Sequence, residues 1–142
     1  MGSAVPANLR ARLVDLYAAY ARGGVDFVLN TIDDDIDFLS YAPTEIFPYL
    51  GHHRGKQAFA EVMQATHAAF EFLTYKPVFL VVERNDAAAM LSMRLRQRNT
   101  DRTIHLFVAQ FLRFRRGRIF ELREFMDSFD AVQQVLGREI HL

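Results

Sequence analysis

Apolar and polar residues alternate most regularly between residues 103 and 127, TIHLFVAQFLRFRRGRIFELREFMD. Two runs of this alternation are separated by the residues Arg115-Arg116-Gly117-Arg118. A side-chain period of two is typical of β-strands, and glycine is the residue in this turn that is free to take a positive φ. The pattern therefore predicts an antiparallel hairpin whose turn lies at residues 115–118.

Each arm of the predicted hairpin has one face for odd-numbered and one for even-numbered positions. The even face carries Leu106, Val108, Gln110, Leu112 and Phe114 in the first arm and Phe120, Leu122, Glu124 and Met126 in the second. The odd face carries His105, Phe107, Ala109, Phe111 and Arg113, followed by Ile119, Glu121, Arg123, Phe125 and Asp127. Gln110 and Glu124 are therefore polar residues within otherwise apolar rows.

Apolar residues on both faces indicate that the hairpin is covered on both sides. We expect it at the centre of a sheet, with helices on one face and a partner subunit on the other. The apolar residues expected on the outer face are Phe107, Phe111, Ile119 and Phe125. An uncovered patch of this size is rare in a soluble monomer, so the pattern predicts a homodimer through the outer sheet face.

The rest of the chain divides into helical and strand-like segments. Apolar periodicity predicts helices over residues 8–22, 25–32, 56–70 and 128–137 and strands over residues 36–41, 72–83 and 87–98. Asn8 and Ser128 are the expected N-caps of the first and last helices. Successive turns predict a meander of four long strands, with the 36–41 strand left to join an edge of this meander.

Two polar segments are predicted to be connections. The run Asp33-Asp34-Asp35 lacks the spacing of a calcium loop and is expected to be a turn before the strand. Residues 42–55 contain Pro43, Pro48, Gly51 and Gly55, which predict a loop, and their apolar residues suit the lip of a pocket. The segment 51–57 does not complete a phosphate-binding loop, because Gln57 stands where serine or threonine would hold magnesium.

Composition limits the classes of function. The 142 residues fit a single domain and contain 17 basic and 17 acidic side chains, so the net charge of zero does not favour nucleic acid. There is no cysteine, no zinc-protease motif and no apolar run long enough to span a membrane. We therefore expect no metal site, no cofactor and no membrane partner, and a cytoplasmic location.

Short motifs in their order resemble a known family. The motifs are P-Y-L-G-x-x-R-G-K-Q-A at 48–58, G-R-I-x-x-x-R-E-F-x-D at 117–127 and Q-x-L-G at 134–137. The chain resembles the SnoaL-like, ketosteroid-isomerase-related branch of the nuclear transport factor 2-like superfamily, over residues 9–137. The resemblance implies an α+β fold in which a cone-shaped, strongly curved, mixed or antiparallel sheet wraps a pocket, with three helices in the N-terminal half and a short C-terminal helix.

The resemblance also implies site residues. Tyr17 falls where steroid isomerases place the oxyanion-hole tyrosine, and Gln110 falls where they keep a second donor. Their general base aligns with Ser40, which has no useful basicity. Glu124 or Asp127 matches the single carboxylate of SnoaL-type cyclases. Epoxide hydrolase relatives also need an Arg-x-Asp pair on an earlier strand, and residues 91–93 are without one.

These features predict a cofactor-independent isomerase or cyclase that applies acid/base chemistry to a hydrophobic carbonyl, polyketide-like or steroid-like substrate. The alternative is a non-catalytic ligand-binding or dimeric assembly module on the same fold. The expected pocket residues are Tyr41, Phe47, Tyr49, Phe59, Met63, Leu122 and Met126. Glu124 has two open interpretations, a catalytic base or the partner of an arginine such as Arg94 or Arg96.

Overall fold

The computed structural model describes residues 8–142 and contains four helices and six strands in that range. In chain order these are α1 (Leu9–Ala21), α2 (Val25–Asn30), β1 (Ile32–Ser40), β2 (His52–Arg54), α3 (Lys56–Ala69), β3 (Phe70–Glu83), β4 (Asp86–Gln97), β5 (Thr103–Arg115), β6 (Arg118–Met126) and α4 (Ser128–Leu136). The bounds lie close to those that the periodicity predicts. The short strand β2 is an addition, since the sequence predicted loop there.

The strands form one sheet in the order β2-β1-β6-β5-β4-β3. The strands β3, β4, β5 and β6 are a continuous antiparallel meander, as predicted, whereas β1 pairs with β6 in parallel. The β5–β6 hairpin therefore lies at the centre of the sheet. The parallel pair joins a strand from the first third of the chain to one near its end, so both regions contribute to the same part of the sheet.

The hairpin turn consists of two residues, Arg116 and Gly117, between β5 and β6. Both residues have positive φ, 54° for Arg116 and 75° for Gly117. Two-residue hairpin turns of type I′ require this at both central positions, because their twist then matches that of the strands. The expectation that Gly117 alone has positive φ was therefore wrong, and Arg116 shares the left-handed conformation.

A bulge in β6 changes the predicted faces at the start of that strand. The pairing of β5 with β6 shifts between Arg113, which faces Glu121, and Phe114, which faces Ile119. Phe120 is the extra residue, and the Arg115 guanidinium lies 4.9 Å from its ring centroid. Ile119 consequently turns inward and is 1% exposed, so its predicted place on the outer face was wrong.

The acidic run belongs to a strand and not to a turn, because β1 begins at Ile32. Basic side chains from neighbouring segments accompany two of its carboxylates. Arg115 lies 3.0 Å from Asp33, and Lys56 lies 3.3 Å from Asp34. These ion pairs reduce the repulsion between adjacent carboxylates, which composition alone does not reveal.

The last helix is capped by a different residue from the one that the sequence suggested. Asp127 occupies the N-cap of α4, and its carboxylate accepts a hydrogen bond from the Asp130 backbone N–H at 3.1 Å. Ser128 is the first helical residue. Gly137 ends the helix with a positive φ of 71°.

The inner face of the sheet forms the core with the helices. Inward positions of β4 and β5 alternate with exposed ones along both strands, as predicted. Leu13 and Tyr17 of α1 and Met63 of α3 are almost fully buried and belong to the same apolar cluster as the inward residues of the sheet. The helices thus cover the concave side of a curved sheet.

The opposite face of the sheet carries large exposed apolar side chains. We call this set the outer apolar band: Phe79, Val81, Met90, Phe107, Phe111 and Phe125. Strand register places Phe79, Met90, Ala109 and Phe125 in one row across four strands. Phe125 also stacks on Tyr41, with ring centroids 4.4 Å apart. The band is a contiguous apolar surface and not a scatter of single residues.

Candidate active site

Glu124 lies at the centre of a polar row on the inner face of the sheet. In the register of the sheet, Glu124 of β6 is paired with Ser40 of β1 on one side and with Gln110 of β5 on the other. Ser40 is 3% exposed and Gln110 is 8% exposed. Both belong to the few buried polar residues of the described chain. Three adjacent strands therefore bring three polar side chains together in an apolar interior.

Burial raises the pKa of the Glu124 carboxyl group from 4.5 to about 7. The cause is loss of water around the charged form, and hydrogen bonds from Ser40 and Gln110 oppose the rise without cancelling it. Within residues 8–142, the ion pairs do not include Glu124. Arg96 pairs instead with Glu71 and Asp101 on the outer side of the sheet. The interpretation of Glu124 as an arginine partner therefore has no support from the geometry.

Gln110 is held by a second hydrogen bond from a helix. The Tyr17 hydroxyl donates to Oε1 of Gln110 at 2.9 Å, and both side chains are buried. Burial and the neighbouring Glu124 raise the pKa of Tyr17, so its hydroxyl stays protonated near neutral pH and remains a donor. Because the amide oxygen is engaged by Tyr17, the amide NH2 group is the part of Gln110 that remains for Glu124.

The polar row faces a cavity of about 110 Å³ between the sheet and the helices. The cavity wall includes Tyr17 and Tyr20 of α1, Tyr75 of β3 and Glu124. It also includes Tyr49 of the loop between β1 and β2, which we call the lip loop (residues 41–51). Five phenylalanines also line it: Phe38, Phe47, Phe59, Phe70 and Phe72. Among the wall residues within 8–142, Glu124 is the only one of the Asp, Glu, Lys, Arg or His types. The site thus suits an uncharged apolar molecule that meets one carboxyl group.

The size of this cavity restricts what it can enclose. An apolar cavity of about 150 Å³ in a protein is sufficient to bind benzene, whereas sites for drug-sized ligands span about 300–1,000 Å³. At about 110 Å³ this cavity is smaller than the benzene site, so in the observed conformation it encloses at most a compound of about one ring. A larger steroid-like molecule would require the lip loop, residues 41–51, to move outward.

The structure places most of the predicted site residues on the cavity wall. Tyr17, Gln110 and Glu124 line it, and so do Phe47, Tyr49, Phe59, Met63, Leu122 and Met126. Two predicted residues lie elsewhere. Tyr41 follows the last residue of β1, is 52% exposed and stacks on Phe125 at the outer face, so it does not contact the cavity. Asp127 is exposed and caps α4, so its carboxylate is committed to a helix terminus.

Sequence reasoning missed three residues of the site. Tyr20 follows Tyr17 by one helical turn, and its place on the same apolar stripe was a usable signal for a pocket position. Tyr75 lies on an irregular strand whose register shifts twice, which removes a simple parity rule. Ser40 was judged only by its lack of basicity, although it lies beside Glu124 as a hydrogen-bond donor.

Residues 8–142 contain no group of three or more histidine, aspartate or glutamate side chains arranged to hold a metal ion. In the same range, none of the helices is long and apolar enough to cross a membrane.

The curved sheet and its covering helices form the fold of the nuclear transport factor 2-like superfamily, which solved structures share. A member from Burkholderia xenovorans LB400 superposes with a TM-score of 0.76 at 22% identity, covering 89% of this chain and 95% of that chain. An LEH-like epoxide hydrolase from M. tuberculosis superposes with a TM-score of 0.70 at 14% identity, covering 89% and 91%. At these identities the likeness concerns the fold alone.

Within this superfamily, the model of the SnoaL-like domain matches residues 13–122. The chain therefore belongs to the SnoaL-like family. A candidate isomerase from Rhodopseudomonas palustris is 32% identical, with a TM-score of 0.80, and the match covers 87% of this chain and 91% of that chain. None of the functionally curated proteins matches the chain.

Proposed function

We propose that this protein is a cofactor-independent enzyme that isomerises or cyclises a small, uncharged, hydrophobic carbonyl compound. The observation that carries the proposal is the Glu124 carboxyl group, which lies in an apolar cavity and has a pKa of about 7. A group with this pKa is populated in both protonation states at neutral pH, as an acid/base catalyst requires. The similar protein from Rhodopseudomonas palustris, itself a candidate isomerase, agrees with this class of reaction.

In the proposed reaction, ionised Glu124 removes a proton from the carbon next to the substrate carbonyl. The electron pair of the broken C–H bond moves into an enolate, and Glu124 becomes the neutral acid. Isomerisation is completed when Glu124 returns the proton to a different carbon. In a cyclisation, the enolate carbon would attack a second carbonyl, and Glu124 would protonate the alkoxide formed there.

The enolate oxygen needs a hydrogen-bond donor in the same cavity. Gln110 has two amide hydrogens, and in the proposed complex one bonds Glu124 and the other bonds the substrate oxygen. The resemblance assigned Tyr17 the same role, but its hydroxyl hydrogen is donated to Gln110. Gln110 is therefore the proposed oxyanion donor, and Leu122, Met126 and the aromatic wall would hold the apolar part of the substrate.

The proposal is tested with a substrate that fits the observed volume. Cyclohex-3-enone is a single-ring ketone whose isomerisation to cyclohex-2-enone requires removal and return of a proton at different carbons. The conversion is followed by ultraviolet absorption, and deuterium uptake from D2O is followed by NMR for a panel of similar ketones. We expect conversion or uptake above the buffer rate for the wild type. Rates equal to those of Glu124→Gln for all of the ketones would contradict the proposal.

A second candidate is a non-catalytic ligand-binding or assembly module. The five phenylalanines on the wall and the modest volume of the cavity favour this alternative. The two functions differ in one measurable respect, because a binder would retain ligand without catalysing deuterium exchange.

The proposal includes a homodimer formed through the outer apolar band, with the cytoplasm as its location. Support for the dimer comes from the exposure of Phe79, Phe107 and Phe111, each of which is at least half exposed. Covering an apolar surface of this kind with a second copy of the chain lowers the free energy. Light scattering would test the dimer, and fractionation of cells would test the location.

A further inference from the structure

The neighbours of Glu124 are themselves oriented by further hydrogen bonds. Gln110 accepts from Tyr17 at 2.9 Å, and Oγ of Ser40 accepts from the Ala42 backbone N–H at 3.3 Å. Each neighbour therefore already accepts a hydrogen bond from a donor other than Glu124. Each also has a hydrogen to donate, and the strand register places the two residues beside Glu124, one on either side.

The orientation of the Gln110 amide has two alternatives that affect Glu124 in opposite ways. With its NH2 group toward Glu124, the amide donates and favours the carboxylate. With the amide rotated by a half turn, its oxygen would face Glu124 and favour the neutral acid, which can donate to it. In the structure the Tyr17 hydroxyl donates to the amide oxygen, which corresponds to the first arrangement, with the NH2 group toward Glu124.

Ser40 reaches the other side of the same carboxyl group. Ser40 is 3% exposed, so water has little access to this side chain. The Ala42 N–H occupies a lone pair of Oγ and leaves the hydroxyl hydrogen for Glu124. The Tyr41 N–H also bonds the Glu124 backbone carbonyl at 2.9 Å, which keeps β1 in register with β6 at this point.

We propose that Tyr17 and Ser40 are positioning residues for Glu124: Tyr17 fixes the Gln110 amide with its NH2 group toward the carboxyl group, and Ser40 donates from the opposite strand. Tyr17 accordingly acts through Gln110 and not on the substrate. This inference rests on the proposed function for its catalytic meaning. The effect of both residues is on the ionisation of Glu124, and this ionisation is measurable without a substrate.

The other titratable groups around the cavity do not compete for this role. Tyr20 of α1, Tyr75 of β3 and Tyr49 of the lip loop share the wall with Glu124. Burial raises the pKa of each, to about 12 for Tyr49, so all three are neutral where Glu124 titrates. The wall residues from α2, α3, β1, β4 and β5 are not ionisable.

The test is an NMR titration of protein labelled with ¹³C at the glutamate side-chain carboxyl. Glu124→Gln identifies the Glu124 signal, and the pKa is then measured in Tyr17→Phe, Ser40→Ala and Tyr75→Phe. Loss of one hydrogen bond to a carboxylate corresponds to about one pKa unit. We expect Tyr17→Phe and Ser40→Ala each to raise the pKa of Glu124 by about that amount. Tyr75→Phe, which removes a buried phenol that does not bond Gln110, should leave it unchanged.

An unchanged or lowered pKa in Tyr17→Phe or in Ser40→Ala overturns the positioning role of that residue. Weaker binding of a phenolate ligand by Tyr17→Phe, without a change in the pKa of Glu124, would show instead that Tyr17 contacts the substrate oxygen. The titration is independent of turnover. If all ketones fail to react while the pKa shifts appear, the proposed function fails and the positioning by Tyr17 and Ser40 stands.

Discussion

The two faces of the central sheet give their charged side chains opposite surroundings. On the inner face, Glu124 is a lone carboxyl group among apolar walls, and burial raises its pKa to about 7. On the outer face, charged side chains pair with one another, as Arg96 does with Glu71 at 2.9 Å and Arg123 with Asp37 at 3.4 Å. Between those pairs lies the outer apolar band.

This difference suggests a separate role for each face: chemistry for the inner face and association for the outer face. A carboxyl group that is poorly solvated and free of a cationic partner is costly to ionise, and a fold retains such a group most readily where it has a function. A paired, solvated charge contributes little energy, but it borders an apolar surface and limits its extent. The comparison therefore predicts that mutations on the inner face alter proton transfer, whereas mutations on the outer face alter assembly.

The largest expected effect is the loss of proton transfer in Glu124→Gln. The substitution preserves shape and the possibility of hydrogen bonds, but it removes the wall carboxyl group whose pKa is about 7. We expect the rate of ketone exchange to fall by about 100- to 10,000-fold, the usual contribution of a general base. Phe111→Leu, a conservative change on the outer face, is the matched control and should retain activity. Equal losses in both variants would abolish the distinction between the faces.

The next effect concerns stability and pH. Because folding raises the pKa of Glu124 from 4.5 to about 7, the folded chain binds more protons than the unfolded chain between these values. The contribution of Glu124 to the free energy of unfolding therefore falls by about 3 kcal/mol as pH rises from about 4.5 to about 7. Below this pH range the carboxyl group is neutral in both states and does not destabilise the fold. Above it, the ionised carboxylate destabilises the fold by the full amount.

Urea denaturation of the wild type and Glu124→Gln at a fixed protein concentration measures this dependence. The glutamine variant should gain stability relative to the wild type as pH rises through this range. Its own profile lacks the contribution of Glu124. A difference between the two proteins that stays constant with pH would mean that Glu124 is solvated, and a large destabilisation of the variant would indicate a hidden cationic partner.

The smallest of the expected effects lies on the outer face. Phe111 is half exposed and packs edge-on against Phe125, with ring centroids 5.9 Å apart. Phe111→Asp would place a charge in the middle of the proposed dimer interface, at a cost of about 2 kcal/mol or more in association. Light scattering at micromolar concentration should then shift from twice the chain mass to 16.4 kDa. A wild type that is already monomeric would contradict the proposed dimer and the assignment of the outer face to association.

Much of the fold was predictable because alternation and turn residues are local signals. The four-strand meander and the inward parity of Gln110, Leu122 and Glu124 follow from the period of two along β5 and β6. Membership of the superfamily was also recognisable from short motifs in order. These signals are strong because each depends on neighbours within a few residues.

The errors occur where a tertiary contact overrides the local pattern. A bulge at Phe120 turns Ile119 inward, and parity alone does not locate an extra residue. Asp127 caps α4, a role equally compatible with its place after β6. Tyr41 faces outward because it stacks on Phe125 from a strand 84 residues away in the chain, which the sequence does not disclose.

The parallel pairing of β1 with β6 has a consequence for the order of folding. Tyr17 and Gln110 are 93 positions apart, and Ser40 is similarly distant from Glu124, so closing these contacts is entropically expensive. The meander of β3 to β6 needs only short loops, and contacts of this kind form faster than non-local ones. We therefore expect the outer surface to exist, briefly, before the cavity does. The abnormal ionisation of Glu124 would then appear only when the two ends of the chain meet, which makes it a natural reporter of the final folding step.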